Sequence, residues 1–352
     1  MTTDLQPPPA VSSSPQRLKE SRAWLWSLLI GLVILGTLAT IPLFGDASLL
    51  HTWTLIVMYI VFAQCWNFIG GYAGYAAFGN VAFFGIGAYT SGLFLLAGLP
   101  LWVGLLAGGV VAGLFALLIG LPVLRLKGHY FAIATLGTAE ALREFVVVKD
   151  IGGGGGGLMS LPLPSLDAYP LLFYAFVGLA VLCLFITAAL ARSRFGYALI
   201  AIRENEQAAE ALGIPTYWYK VRAFVLSAVP TALAGGLYAY WATGFDPGTV
   251  FDVGISVEMV LLTFLGGTGT ILGPIIGGIL FETASFQFQT SGLNLHNTLL
   301  GLSIILVTII LPQGVIRFVQ TFSSRPTPGL TGVGRFMEGF RRVRRFITAN
   351  GI

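Results

Sequence analysis

Charge is what this chain has least of. Asp, Glu, Lys and Arg make up 10% of its 352 residues, against about 25% in soluble domains, so water is not its main solvent. Cysteine is nearly absent too. Cys65 and Cys183 both sit inside apolar runs, and no Cys-x-x-Cys pair, zinc spacing or disulfide framework accompanies them. They read as small core residues. The three histidines, His51, His129 and His296, are far apart and near the ends of apolar runs. No His-Glu-x-x-His motif and no Gly-x-Gly-Asp acid pair is present, so no catalytic residue and no metal site is expected. The glycines 152–157 lack the Lys-Ser/Thr that a phosphate-binding loop needs. Leu158, Met159 and Ser160 follow them instead, and the run reads as a flexible outer loop. The chain therefore carries no cofactor and no nucleotide site of its own. These absences weigh against an intramembrane enzyme.

What fills the chain is apolar. Hydrophobic residues make up 56% of it, with a mean hydropathy of +0.84. Runs of about 20 apolar residues recur, each able to cross about 30 Å of hydrocarbon as a helix. They do not alternate as barrel strands do. The fold class is all-α polytopic membrane protein, with about ten (eight to ten) spans: 24–44, 54–69, 81–98, 101–124, 130–148, 169–191, 223–243, 256–266, 272–288 and 297–316. Residues 1–22 form a Pro- and Ser-rich tail without apolar period, expected to be disordered and cytoplasmic. Residues 23–316 form the transmembrane domain, and 317–352 a basic cytoplasmic tail. The first span is longer than a signal-peptide core and reads as an uncleaved anchor.

The net charge of +4 records orientation and is no nucleic-acid signal. With the amino terminus inside, 17 of the 19 basic residues fall on the cytoplasmic side, as the retention of Lys and Arg there requires. Both termini are then cytoplasmic. The tail around Arg341, Arg342, Arg344 and Arg345 reads either as a basic amphipathic helix on anionic lipid or as a disordered basic segment.

Charges within spans are costly and usually functional. Glu140, Arg143 and Glu144 share one helical face of the fifth span; they line a polar path or snorkel at a helix end. Glu258 starts the eighth span, and Glu282, in the middle of the ninth, is the better path candidate. No chain of carboxylates runs through the interior, which weighs against an ion-coupled carrier. Two stretches concentrate glycine: "FIGGYAGYAAFGNVAFFGIGAYTSG" and "FLGGTGTILGPIIGG". Small residues let membrane helices approach closely, and interrupted helices at depth line cavities. A translocation core with broken or re-entrant segments is expected there, with Gly74, Tyr75, Asn80 and Gly267 on the path beside Glu140 and Glu282.

The segment 192–222 is the most charged part of the interior sequence. Residues 200–212 hold good helix formers and neither Gly nor Pro, so one short helix is expected. Gly213 stops it as a left-handed cap, and Pro215 prevents its return. Its small face (Ala208, Ala209) and its charges (Arg203, Glu204, Glu206, Glu210) suit docking into a groove on a cytoplasmic partner.

Four blocks carry a family resemblance: "GYAGYAAFGNVAFFGIGAYTSG", "LPVLRLKGHYFAIATLGTAEALREFV", "RSRFGYALIAIRENEQAAEALGIPTYWYKVRAFVLSA" and "SVEMVLLTFLGGTGTILGPIIGG". Over about residues 55–315 the chain resembles the LivM-type permease subunits of ATP-binding-cassette importers for branched-chain and other neutral amino acids. The resemblance implies a bacterial inner-membrane importer. Its partners would be a homologous LivH-type permease, two ATPase subunits that bind ATP, and a periplasmic substrate-binding protein, all within membrane lipid. The third block resembles the coupling loop, with Ala208, Ala209 and Gly213 in the Glu-Ala-Ala…Gly pattern. This chain has Tyr75, Ala77 and Asn80 where the family commonly has Gln, Ser and His, which points to a shifted preference. Importers of urea and short amides have similar subunits and are the alternative.

Overall fold

The computed structural model describes residues 16–40, 42, 47–159, 161, 168–290 and 301. Among them, helices α1 (Gln16–Leu38), α2 (Ala47–Trp66), α3 (Asn80–Leu96), α4 (Leu101–Val123), α5 (His129–Val148) and α6 (Ala168–Leu190) lead to two short helices, α7 (Arg194–Glu204) and α8 (Glu206–Ala211). Then come α9 (Thr216–Ala242), the single turn α10 (Pro247–Val250), α11 (Val253–Gly266) and α12 (Gly273–Thr290). The first nine expected spans each coincide with a helix. The tenth, 297–316, apart from Gly301, and the carboxy-terminal tail lie outside the described residues. Among the described residues, five segments are long and apolar enough to cross a bilayer unaided: Leu49–Gly71, Leu101–Val123, Tyr169–Leu190, Thr216–Ala242 and Pro247–Gly266. Trp24–Leu38 and Asn80–Leu96 are shorter apolar helices.

Three boundaries depart from the sequence reading. α1 starts at Gln16, so it takes in residues assigned to the tail. α9 starts at Thr216 rather than at 223, because Pro215 ends the preceding loop and the polar first turns of α9 pack against neighbours. The charged loop holds two helices, not one. Asn205 is extended (φ −161°, ψ 106°) and breaks the run; its side chain accepts from the Ala208 N–H and caps α8. Asn at an N-cap satisfies an otherwise orphaned amide, which outweighs the helix propensity of its neighbours.

The centre is a bundle of α3, α4 and α9 beside α2, which packs on α6, α11 and α12. Glycine sets how closely these helices approach. A methyl group at Gly87 of α3 would lie 1.9 Å from the Ala232 carbonyl oxygen of α9. One at Gly235 would lie 2.1 Å from the Phe84 carbonyl oxygen. Backbones this close gain dispersion contacts in a solvent that offers no hydrophobic drive between helices. Phe62, Phe83, Phe84 and Phe224 are buried and meet edge to face in two pairs, Phe62 with Phe84 and Phe83 with Phe224. Cys65 and Cys183 are fully buried where α2 meets α6.

The glycine run 152–157 is pinned rather than loose. Leu158 and Phe245 exchange backbone hydrogen bonds of 2.9 and 3.0 Å. A side chain on Gly157 would strike the Phe245 carbonyl. Gly152, Gly153, Gly154 and Gly157 have positive φ, a backbone demand that composition alone does not reveal.

Candidate functional site

The two glycine-rich stretches are both breaks between helices, and they meet. After α2 the chain forms a π-helical turn, Asn67–Gly71, then runs without regular structure from residue 74 to 79 before α3 begins. Between α11 and α12 lies the second break, residues 267–272. Asn67 stitches them together. Its Oδ1 accepts from the Gly269 N–H at 2.8 Å, and its Nδ2 donates to the Thr270 carbonyl at 3.1 Å. A π turn inside a helix is a frequent mark of a functional position.

Arg203, at the end of α7, reaches this junction. Its Nη1 donates to the Gly71 carbonyl at 2.8 Å, while Nη2 meets Glu204 Oε1 at 3.0 Å. A methyl group on Gly269 would lie 2.7 Å from Arg203 Nη1 and 2.9 Å from the Gly71 oxygen. One on Gly74, which has φ +74°, would lie 2.5 Å from Arg203 Cγ. Glycine is therefore required on both breaks for the guanidinium to sit between them. A cavity of about 300 Å³ opens here, lined by Trp66, Gly70, Gly74, Arg203, Phe264 and Thr268.

A second contact lies one residue past the Asn205 elbow. Glu206 Oε1 pairs with Lys220 Nζ at 2.7 Å, and its Oε2 accepts from the Tyr75 hydroxyl at 2.5 Å. Lys220 also donates to the Tyr75 hydroxyl at 3.0 Å and to the Leu124 carbonyl at 3.1 Å. All three ammonium protons thus have acceptors. The Lys220 side chain is 3% exposed, and the buried charge is tolerated because its partners are complete. Burial pushes the Glu206 carboxyl up, but the hydrogen bonds from Lys220 and Tyr75 and the charges of Lys220 and Lys127 pull it below its ordinary value. Burial and Glu206 hold the Tyr75 hydroxyl well above the usual tyrosine range.

The outward face of the loop is a separate set. Glu204, Ala208, Glu210, Ala211, Leu212 and Gly213 are exposed, with Leu212 at 82%, while Ala209 is buried. Glu210 accepts from the Thr216 hydroxyl at 2.7 Å and so braces the start of α9. Gly213 has φ +83°. The Ile214 N–H returns to the Ala209 carbonyl and the Gly213 N–H to Glu210, the paired bonds of a left-handed helix cap.

The remaining path candidates do not converge on one point. Gly74 and Tyr75 join Arg203 and Glu206 at the junction. Gly267 caps α11 at φ 126° on the second break. Asn80, fully buried, donates to Ser227 Oγ on α9 at 2.8 Å. Glu140 pairs with Arg143 along α5 and is 45% exposed, so it faces outward from the bundle. Glu282 is buried on α12. Tyr59 belongs to a larger cavity of about 570 Å³ at the other end of α9, lined also by Tyr238, Trp241, Asp246, Asp252 and Glu258, with no Lys or Arg in its wall. Asn67, Lys220 and Asn205 were not among the expected site residues. A lone Asn before a Gly pair in an apolar run, and a Lys just ahead of the seventh expected span, were the available signals.

No group of three or more His, Cys, Asp or Glu residues that could hold a metal occurs among the described residues. The family model for the permease component of branched-chain amino acid transport systems matches residues 48–308. The chain is 31% identical to the high-affinity branched-chain amino acid transport system permease protein LivM of Escherichia coli (strain K12), covering 75% of this chain and 68% of that protein. It is 30% identical, over the same shares, to LivM of Salmonella typhimurium (strain LT2). The autoinducer 2 import system permease protein LsrC of Yersinia enterocolitica is 32% identical over 56% of each chain. No solved structure matches. Family match, apolar helices and paired glycine breaks agree: the chain belongs to the multi-pass permease components of branched-chain amino acid transport systems, membrane subunits of ATP-binding-cassette importers.

Proposed function

We propose that this chain forms half of the translocation path for branched-chain or other neutral amino acids, beside a LivH-type permease, with two ATPases below and a periplasmic binding protein above. The observation that carries the reading is α8, an exposed short helix whose inner side is bonded to the start of α9 through Glu206 and Glu210 and to Tyr75 of the glycine junction through Glu206. The ATPases supply ATP hydrolysis, and the exposed face from Glu204 to Gly213 docks on them. Arg125, Lys127, Arg192, Arg194 and Arg203 gather at this end of the bundle, and Arg192 stacks 3.5 Å over the Trp24 ring near the start of α1. That grouping supports a cytoplasmic loop and a cytoplasmic amino terminus.

The opposite cavity supports an amino acid cargo. Its carboxylates suit an ammonium group, and the faces of Tyr59, Tyr238 and Trp241 suit both a cation and an apolar side chain. Urea offers neither feature. ATP binding would close the ATPases, move the loop and shift the bundle between outward- and inward-open states. Each ligand biases that equilibrium by its differential affinity alone.

The test is uptake of radiolabelled leucine by proteoliposomes holding the complete assembly. ATP-dependent, saturable uptake that excess isoleucine suppresses, and that urea and autoinducer 2 leave unchanged, is expected. Uptake indifferent to ATP, or suppressed only by urea or autoinducer 2, would overturn the reading.

A further inference from the structure

We infer that the coupling loop is divided in two by the Asn205 elbow, and that Arg203 and Glu206 transmit its motion inward instead of docking on a partner. The inference rests on the proposed importer function, since only a driven loop has motion to transmit.

Docking residues must face outward, and these two do not. The Arg203 side chain is 23% exposed and Glu206 13%, against 70% for their neighbour Glu204. Arg203 holds the Gly71 carbonyl and lies against Gly269, so one guanidinium touches both breaks in the helical bundle. The planar fork of Arg fits this position, because it places several donors in one rigid plane. Glu206, past the elbow, holds Tyr75 of the first break and Lys220 of α9. Displacement of the loop as a whole therefore pulls on the segment 71–75 from two sides, through Arg203 of α7 and Glu206 of α8, and on the start of α9. Because Asn67 ties the first break to the second, movement of one carries the other. A packed helix pair such as α3 with α9 cannot flex in this way. The breaks can, because residues 74–79 and 267–272 are not helical. Arg203 and Glu206 are thus positioning residues of the transport cycle, and the face from Ala208 to Leu212 is left for the ATPases.

The experiment compares wild type, Arg203→Ala, Arg203→Lys, Glu206→Gln and the outward-face control Leu212→Asp in the complete assembly. Three quantities are read: ATPase subunits retained on purification, ATP hydrolysis stimulated by loaded binding protein, and leucine taken up per ATP hydrolysed. Arg203→Ala is expected to keep the ATPases and their hydrolysis while uptake per ATP falls about ten-fold, within the usual range of coupling between sites. Arg203→Lys, which retains one donor for Gly71, recovers part of that loss. Glu206→Gln behaves as Arg203→Ala does but more weakly, and Leu212→Asp loses the ATPases themselves. Loss of ATPases from Arg203→Ala, a parallel fall of hydrolysis and uptake, or unchanged uptake per ATP would overturn the inference. If Arg203→Ala does not accumulate, Arg203→Lys and Glu206→Gln decide it by the same ratio. Failure of the wild-type assembly to move leucine with ATP would instead strike the importer reading and is separable from these outcomes.

Discussion

The α3–α9 interface and the junction under α8 hold the same molecule together by opposite means. The first is dry, with glycines setting two backbones in contact at Gly87 and Gly235. The second is polar, with Arg203, Glu206, Lys220, Tyr75 and Asn67 spanning backbone breaks. A close-packed interface has a steep repulsive wall on every side and moves only as a unit. A polar junction is directional, and its partners can exchange while the flanking helices stay intact. The chain thus joins a rigid half to a hinged one, and the charged loop holds the hinged half through Arg203 and Glu206 and the rigid half only at the start of α9, through Thr216 and Lys220.

Several substitutions would break or sharpen that contrast. Gly87→Leu should have the largest effect. Its Cβ alone falls 1.9 Å from the Ala232 oxygen, and overpacking of this kind costs about 3 kcal/mol or more; thermal unfolding in detergent and membrane yield would register it. Lys220→Met should cost somewhat less, about 3 kcal/mol, by leaving Glu206 without its buried partner. It should also lower leucine uptake, and a variant of wild-type stability would mean that the pair in the structure is not held. Asn205→Ala removes one capping bond, worth about 1 kcal/mol. Faster hydrogen exchange at the Ala208 amide, with the bundle's protection unchanged, is the expected signature. Gly213→Ala meets no neighbouring atom, so only the strain of φ +83° remains, about 1 kcal/mol and confined to the loop.

Acidification should have the smallest effect. The Glu206 carboxyl lies below its ordinary value of 4.5, so its contribution is complete above that value and is lost as pH falls through the lowered one. The groups facing it are Lys220, Tyr75 and Lys127, with Glu210 acting on Tyr75. Between roughly pH 8 and 5 no ordinary carboxylate, tyrosine or lysine value is crossed. The ratio of uptake to ATP hydrolysis should then stay level, and a drop centred near pH 6 would point to a titrating group outside this cluster.

Much of the architecture was legible beforehand because hydropathy is a local property. The apolar runs located nine helices, and the glycine clusters located both breaks. The Gly213 cap was readable because only glycine adopts its φ at no cost. The elbow was less so. Residues 200–212 contain no helix breaker, yet Asn205 divides them, since capping chemistry competes with propensity at a single residue. The direction of the charges was not readable at all. Arg203 and Glu206 looked like members of one exposed patch with Glu204 and Glu210, and that Glu140 pairs with Arg143 on an open face was equally hidden.

Composition and the order of apolar runs, by themselves, determined that the chain lives in a bilayer, as a series of helices with a charged loop between the sixth and seventh expected spans. Transfer of each segment between water and hydrocarbon depends only on the residues within it. Only the tertiary structure decided what the loop holds. Arg203 meets the Gly71 carbonyl across 132 residues of chain, and Lys220 is enclosed because Tyr75, Leu124 and Glu206 converge on it. Such contacts depend on where distant backbones are brought together, which no local transfer energy encodes.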